Sequence, residues 1–518
     1  MRSLFTPLLL PLLLLAPGAG SAQAPYQASA PLSWELKNAR WFDGHVLRQG
    51  NLYIDQGVFV AKRPAQVNRK MDLRGQQVLI NPLGEAHNHN LQTAWGWGQY
   101  AQTYLDEGVF YAAMLCGDPA SVAEVRPLAA VPAAPDVSFI TACITSSDGY
   151  PLADLLRPPP IDPAADAAPK TAPNSAPNAA PGTASGTASE RAATTAAAAA
   201  AQQQLVLVDS PEQAAAQWPA IKARGGTAIR IVLSHVDQPA LRSRPDMWGR
   251  LGLSAESAAA LTRLAHGDGQ RVVAHVETAA DFDAALAAGV DVIAHLPGYA
   301  NVLREPAERF AISAAAAALA ARRHTAVITT VAATDLFRMD AQSLAALRAV
   351  QRSNLARLQA AGVALRIGSD VFIGTARAEV HALDALGLER SLLLRLATQD
   401  TPRALFPQRR LGCFDPGCEA SFLLLGGDPL TDLAQIDQPL LRVKQGRLLT
   451  RLADVAAASA QARASTADSA KKASGKKAGK AQATRKATAK PKTKSSAKST
   501  AKPTPQPSRK PAAGARPR

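Results

Sequence analysis

Gly84-Glu85-Ala86-His87-Asn88-His89-Asn90 is the stretch on which the reading of this chain turns. It follows a short apolar run, Val78-Leu79-Ile80, and so reads as the end of a β-strand. Strand side chains alternate faces with period two, which puts His87 and His89 on one side. Two imidazoles so placed suit a shared metal ion. The competing reading is two surface histidines in a polar turn, and spacing alone does not separate the two.

The decisive signal lies downstream. Arg271-Val-Val-Ala-His275 and Val290-Asp-Val-Ile-Ala-His295 are near copies, each a β-branched run ending in histidine. Between them Thr278 can cap a helix that Gly289 can end. This is a strand–helix–strand unit, which makes the two strands parallel neighbours. Ala364-Leu-Arg-Ile-Gly-Ser-Asp370 ends in a carboxylate in the same manner. Four histidines and one aspartate at separate strand ends form the layout of a barrel active site.

With these residues the chain resembles the amidohydrolase superfamily, most of all its imidazolonepropionase-like and prolidase-like branch. That family carries His-x-His on its first barrel strand, histidines on strands five and six, and aspartate on strand eight. The resemblance implies metal ligands at His87, His89, His275, His295 and Asp370. It extends to Ala274-His275-Val276-Glu277-Thr278, to His295-Leu-Pro-Gly-Tyr299, and to the segment from Pro416 to Leu430. It covers roughly residues 33 to 450 apart from one insert.

The expected fold is α/β, a (β/α)8 TIM-type barrel with a small composite β-sandwich. Barrel strands are expected near 77–90, 109–116, 137–147, 227–235, 271–276, 290–296, 325–330 and 364–370, with helices such as Ser313 to Arg323 and Ala341 to Ala361 between them. An open doubly wound sheet is the alternative. Trp34-Glu-Leu-Lys, Trp41-Phe, Asn51 to Asp55 and Val58 to Val60 read as short strands, as do Ser421 to Leu425 and Leu441 to Gly446. The resemblance implies that these two blocks pack together. The expected organisation is a signal peptide at 1–24, the sandwich from 25–78 and 411–450, the barrel at 79–410, and a tail at 451–518. No glycine-rich phosphate or dinucleotide motif is present.

The 518 residues allow a large core and more than one domain. Arg2, the run Leu8 to Leu15 and an Ala-x-Ala end at Ala24 make a secretory signal, so the protein is expected to be exported, periplasmic or secreted. Export permits disulfides. Four cysteines are too few for a disulfide scaffold, and whether Cys413 and Cys418 pair across their Pro-Gly turn is open. Residues 157–204, rich in Pro, Ala, Thr and Ser, offer few large apolar groups and read as a disordered insert. Of the chain's 57 Lys and Arg, 18 lie in the tail against two acidic residues, which leaves 39 basic and 39 acidic elsewhere. The tail reads as a disordered polycation, with an anionic envelope surface or no dedicated partner, and no dedicated nucleic-acid partner.

Histidine nitrogens with one carboxylate suit Zn²⁺ or another divalent transition metal. Asp370 is expected to act as general base, and His295 to bind a second metal or steady the tetrahedral intermediate. One departure from the family stands out. Members of this branch often place a carboxylated lysine on strand four, bridging two metals. Here the run is Ala228-Ile229-Arg230-Ile231-Val232, and a guanidinium cannot replace that bridge. Three outcomes follow: a single ion held by His87, His89, His275 and Asp370, an unbridged pair, or a degenerate site. One ion is expected rather than two, with Arg230 either clamping a substrate carboxylate or, after metal loss, pairing with Asp370 or Glu277, and Tyr299 a candidate substrate contact. The expected activity is metal-dependent hydrolysis of a C–N bond in a small-molecule or peptide-like amide. The alternatives are a heterocycle deaminase, or a non-catalytic exported protein with a degenerate site.

Overall fold

The computed structural model describes residues 25–156 and 204–454, apart from 302 and 453. The expected signal peptide, nearly all of the insert and nearly all of the basic tail lie outside the described residues. Contacts group the chain up to Ala453 as one compact unit.

Alternating strands and helices run through the middle of the chain. The strands form two all-parallel sheets. One has three strands, Leu83–Asn88, Val109–Leu115 and Asp136–Ile140. The other has seven, in the order Leu205–Leu207, Cys143–Thr145, Ala228–Val232, Arg271–His275, Val292–Ile293, Ala326–Ile328 and Leu365–Arg366. These strands are near-continuous apolar runs, as strands covered on both faces must be. The two sheets do not register as one closed ring. Single backbone bonds link them instead: Ala86 N–H donates to the Ile367 carbonyl, and Asp370 N–H to the His87 carbonyl, each at 2.8 Å.

Period-two alternation decides which side chains enter the space between the sheets. Ala228 and Val273 sit in a small inner cluster with Ala113, Leu115, Ile140 and Ala294. Arg230 and His275, two residues further along the same strands, therefore face the same way, at the carboxyl ends. The helix Ala279–Ala288 follows His275 as expected. Thr278 and Asp281 form a reciprocal capping box, and Gly289 closes it at φ 85°, a left-handed conformation glycine adopts without strain.

The flanking blocks form one nine-stranded sheet built from both chain ends. Val78–Ile80 pairs antiparallel with Phe422–Leu425 and parallel with Trp34–Phe42. One face has its own core around Trp34, Ile54, Phe59, Phe414 and Phe422. Leu423 and Leu425, facing the other way, join the main core.

Four expectations are corrected. The stretch from 137 to 147 is two strands, Asp136–Ile140 and Cys143–Thr145, in different sheets. Trp34–Lys37 and Trp41–Phe42 are one strand, Trp34–Phe42, with a register shift between Leu36 and Ala39 and Asn38 at φ 50°. A polar, left-handed residue inside a strand looks like a turn in sequence, whereas here it makes a bulge. The apolar stretch from 77 to 90 is two strands in different sheets, broken at Asn81-Pro82, because proline cannot donate to a ladder. Leu205–Leu207, directly after the insert, is a short strand that went unassigned. All four cysteines pair, Cys116 with Cys143 and Cys413 with Cys418.

Candidate active site

The strand ends bring together every side chain singled out as a ligand. His87 Nε2 and His89 Nε2 are 3.3 Å apart. Asp370 Oδ1 is 3.6 Å from the first and 3.5 Å from the second. His295 Nε2 lies 4.0 Å from Asp370 Oδ2, and the His275 and His295 rings meet edge to face at 4.5 Å. Arg230 is in their midst. Its Nη1 is 3.0 Å from His89 Nε2, and its Nη2 is 3.1 Å from His275 Nδ1 and 3.4 Å from His295 Nε2.

Backbone and buried polar groups fix this arrangement. Glu85, fully buried two residues before His87, accepts hydrogen bonds from Ser369 N–H at 2.8 Å and Ser369 Oγ at 2.7 Å. It thus ties the first parallel strand to the loop that carries Asp370. Burial pushes the Glu85 carboxyl up to about 8, against the pull of the Ser369 bonds. Cys116, His235, Thr330 and Asp370 all turn with positive φ as the chain leaves their strands. For a β-branched residue such as Thr330 that is a strained conformation. Such strain gathers where surrounding structure imposes a functional geometry.

The histidines' outer nitrogens are committed. His87 Nδ1 lies 2.9 Å from the Ala294 carbonyl. His89 bonds the Leu115 carbonyl. His295 Nδ1 is 3.0 Å from Thr330 Oγ1, and His275 Nε2 is 3.5 Å from Glu277 Oε1. With those nitrogens protonated, His87, His275 and His295 each turn an unprotonated nitrogen inward; His89 does so because Arg230 Nη1 can only donate to its Nε2, while the Gln92 side-chain amide lies 2.9 Å from its Nδ1. Burial holds all four imidazoles well below their ordinary pKa, and the Arg230 charge adds to it. They are neutral, with inward lone pairs. Burial also raises Asp370 to about 7, while the Arg230 charge pulls it back.

This donor set fits a divalent transition ion. Zinc bonds of about 2.0–2.2 Å in tetrahedral geometry separate neighbouring ligand atoms by about 3.4 Å. The His87–His89–Asp370 triangle has edges of 3.3, 3.5 and 3.6 Å. A looser set, His87, His295 and Asp370, has ligand atoms all within 4.8 Å of one another. Both share the His87–Asp370 edge, and the first has the size the ion requires.

Above this centre opens a cleft of about 810 Å³ whose wall includes His89, Arg230, Tyr150, Tyr299, Phe337 and Phe372. Tyr299 stacks on His295 at 4.1 Å, and Tyr150 stacks on His275 at 4.9 Å. The Cys116–Cys143 disulfide also borders it.

Sequence reasoning passed over Glu85, Tyr150, Thr330 and that disulfide. Glu85 alone carried a signal, as a charged residue at a strand end flanked by apolar positions. Arg230 is expected from the sequence as a substrate clamp. Here both of its terminal nitrogens are engaged by histidines, and its buried Nε has no hydrogen-bond partner among the described residues.

No protein-family model matches the chain, and no curated protein matches it. Solved structures do. A Xaa-Pro dipeptidase with methionine bound in its active site is 15% identical, with TM-score 0.55, covering 80% of this chain and 99% of that one. The ochratoxinase of A. niger is 18% identical, with TM-score 0.57, over 81% of this chain and 96% of that one. Molinate hydrolase is 16% identical, with TM-score 0.57, over 81% and 94%. These similarities show a shared fold: over about four fifths of its length the chain folds as these solved hydrolases do.

Proposed function

We propose that the protein is a metal-dependent hydrolase that cleaves a C–N bond of an amide, cyclic amide or peptide-like substrate. The observation that carries this is the triangle formed by His87, His89 and Asp370 at the floor of the cleft, sized for one divalent ion. We read the two parallel sheets as arcs of one (β/α)8 barrel and the nine-stranded sheet as its companion β domain. The structural neighbours, named as a Xaa-Pro dipeptidase, an ochratoxinase and a molinate hydrolase, support the same reaction class.

A divalent ion bound at this triangle supplies Lewis acidity and a lowered pKa for water. Asp370, beside the ligand histidines and raised by burial, takes the proton of the attacking water and passes it to the leaving nitrogen. Tyr150 and Tyr299, stacked on His275 and His295, hold those rings and give the cleft apolar walls for the substrate's flanking groups.

A second reading has an observation of its own. Arg230 donates toward three of the four inward lone pairs, which is also how a centre without metal would satisfy them. Metal content separates the two readings. The full chain, purified without chelator and given Zn²⁺, Mn²⁺ or Co²⁺, is expected to retain metal and to hydrolyse members of an N-acyl amino acid and dipeptide panel. Failure to bind any of these ions would leave the non-catalytic reading in its place. Free ammonia released without chain scission or ring opening would indicate deamination instead.

We also propose export. The two disulfides support it, because such bonds persist in oxidising compartments. The tail's role at an anionic envelope surface is proposed on its charge alone.

A further inference from the structure

Five inward-facing donors converge in this centre, more than one tetrahedral ion needs. The guanidinium of Arg230 divides them. Its Nη2 reaches His275 Nδ1 at 3.1 Å and His295 Nε2 at 3.4 Å, and its Nη1 reaches His89 Nε2 at 3.0 Å. It reaches neither His87 nor Asp370 with a hydrogen bond or an ion pair, the two groups common to both candidate metal triangles. Arg230 is only 3% exposed, and a guanidinium does not lose its proton in a protein. A fixed positive charge thus occupies the half of the centre bounded by His275 and His295.

We infer that Arg230 is a built-in cation that takes the place of a second metal ion. It holds His275 and His295 as hydrogen-bond acceptors and reserves His87, His89 and Asp370 for a single ion. This rests on the hydrolase reading and sharpens it. His275 and His295, expected as ligands from their strand-end positions, become partners of Arg230 instead. Three physical points support the division. A lone pair that accepts an N–H cannot bind a metal at the same time. A second dication beside a buried guanidinium would meet strong repulsion in a site of low polarity. Only the His89 bond must be given up for the first ion to enter, and Nη2 keeps its two acceptors when Nη1 lets go.

Arg230 is therefore a positioning residue, and its test reads metal rather than turnover. The full-length protein and the variants Arg230→Met and Arg230→Ala would be loaded with Zn²⁺ and desalted. Metal per chain would be measured by elemental analysis, and imidazole number by X-ray absorption. The wild-type chain is expected to hold one zinc with two imidazoles. The variants are expected to approach two zincs, with an average imidazole number still near two, because His275 and His295 now bind their own ion. Two zincs in the wild-type chain, or three or more imidazoles around one, would overturn the inference while leaving the hydrolase reading intact. Folded variants that stay at one zinc would also overturn it. A wild-type chain that binds none refutes both, and so marks failure of the hydrolase reading itself. Should the variants not fold, the wild-type stoichiometry and imidazole number decide alone.

Discussion

Gly368 shows how tightly the centre is set at the scale of single residues. A Cβ added there would lie 2.4 Å from Ile328 Cγ2 and 2.9 Å from both the Cβ and the backbone nitrogen of His87. The obstacle is partly backbone, so it cannot simply rotate away. Gly368→Ala should cost about 1–3 kcal/mol through overpacking and should displace His87 as well. The expected result is a lowered melting temperature and a fall in metal occupancy; a variant that melts and loads like the wild type would show that His87 has slack. Asp370→Asn tests the chemistry instead. It is close to isosteric, so the melting temperature should stay within a few degrees while turnover falls about 10²–10⁴-fold, the usual worth of a general base. Unchanged turnover would remove Asp370 from the mechanism. At this scale the ligand candidates were legible because each closes an apolar run with a residue that strands seldom carry there. The partners of Arg230 were not. Alternation tells which way a side chain points, but not which of several neutral imidazoles it will meet.

Between elements, the junction of two strands depends on Asp281. The sequence pointed to Thr278 as a helix cap, and the cap is present. The larger role belongs to its partner, because Asp281 is fully buried and its oxygens accept from the backbone N–H groups of Glu277, Thr278, His235 and Val236. One carboxylate thereby joins the segment after Ala228–Val232 to the segment after Arg271–His275, the strands carrying Arg230 and His275. Losing the Thr278 hydroxyl should cost about 1 kcal/mol, as for other caps. Asp281→Ala strands several buried donors at about 1–3 kcal/mol each, so its cost should exceed about 3 kcal/mol. Urea unfolding of Thr278→Ala and Asp281→Ala with equal slopes would measure both. Equal costs would mean that Asp281 serves the helix and not the junction. A reading of local caps could find the box, since its residues are three apart. The bonds to His235 and Val236 span 46 and 45 positions, and no local pattern encodes them.

Across the described residues, the first and last segments complete one sheet while the middle supplies the cleft. Tyr26–Ala28 pairs with Arg447–Arg451, and Val78–Ile80 with Phe422–Leu425. This composite was readable because both blocks are too small to bury a core alone, though not that they make one continuous sheet. The insert poses the opposite question, since its composition says nothing of where it attaches. Its two flanks are anchored in the same wall. Leu152–Leu156 ends just before it, and Gln204, its last residue, donates to the Cys116 carbonyl at 2.9 Å. Leu155 and Gln204 both border the cleft, so the insert leaves and returns beside the opening. Its anchors, however, are held without it. Leu205–Leu207 pairs in parallel with Cys143–Thr145, and Leu152, Leu205 and both cysteines share a buried cluster. Replacing residues 158–202 by a short Gly-Ser linker should therefore leave the melting temperature within a few degrees and kcat within about twofold of wild type, because the entropy of closing a connection changes only slowly with its length. KM is the discriminating quantity. An insert that merely spans the gap leaves it unchanged for small and bulky substrates alike, whereas one that covers the cleft would raise it for both when removed, and that rise would transfer these residues from spacer to active-site cover.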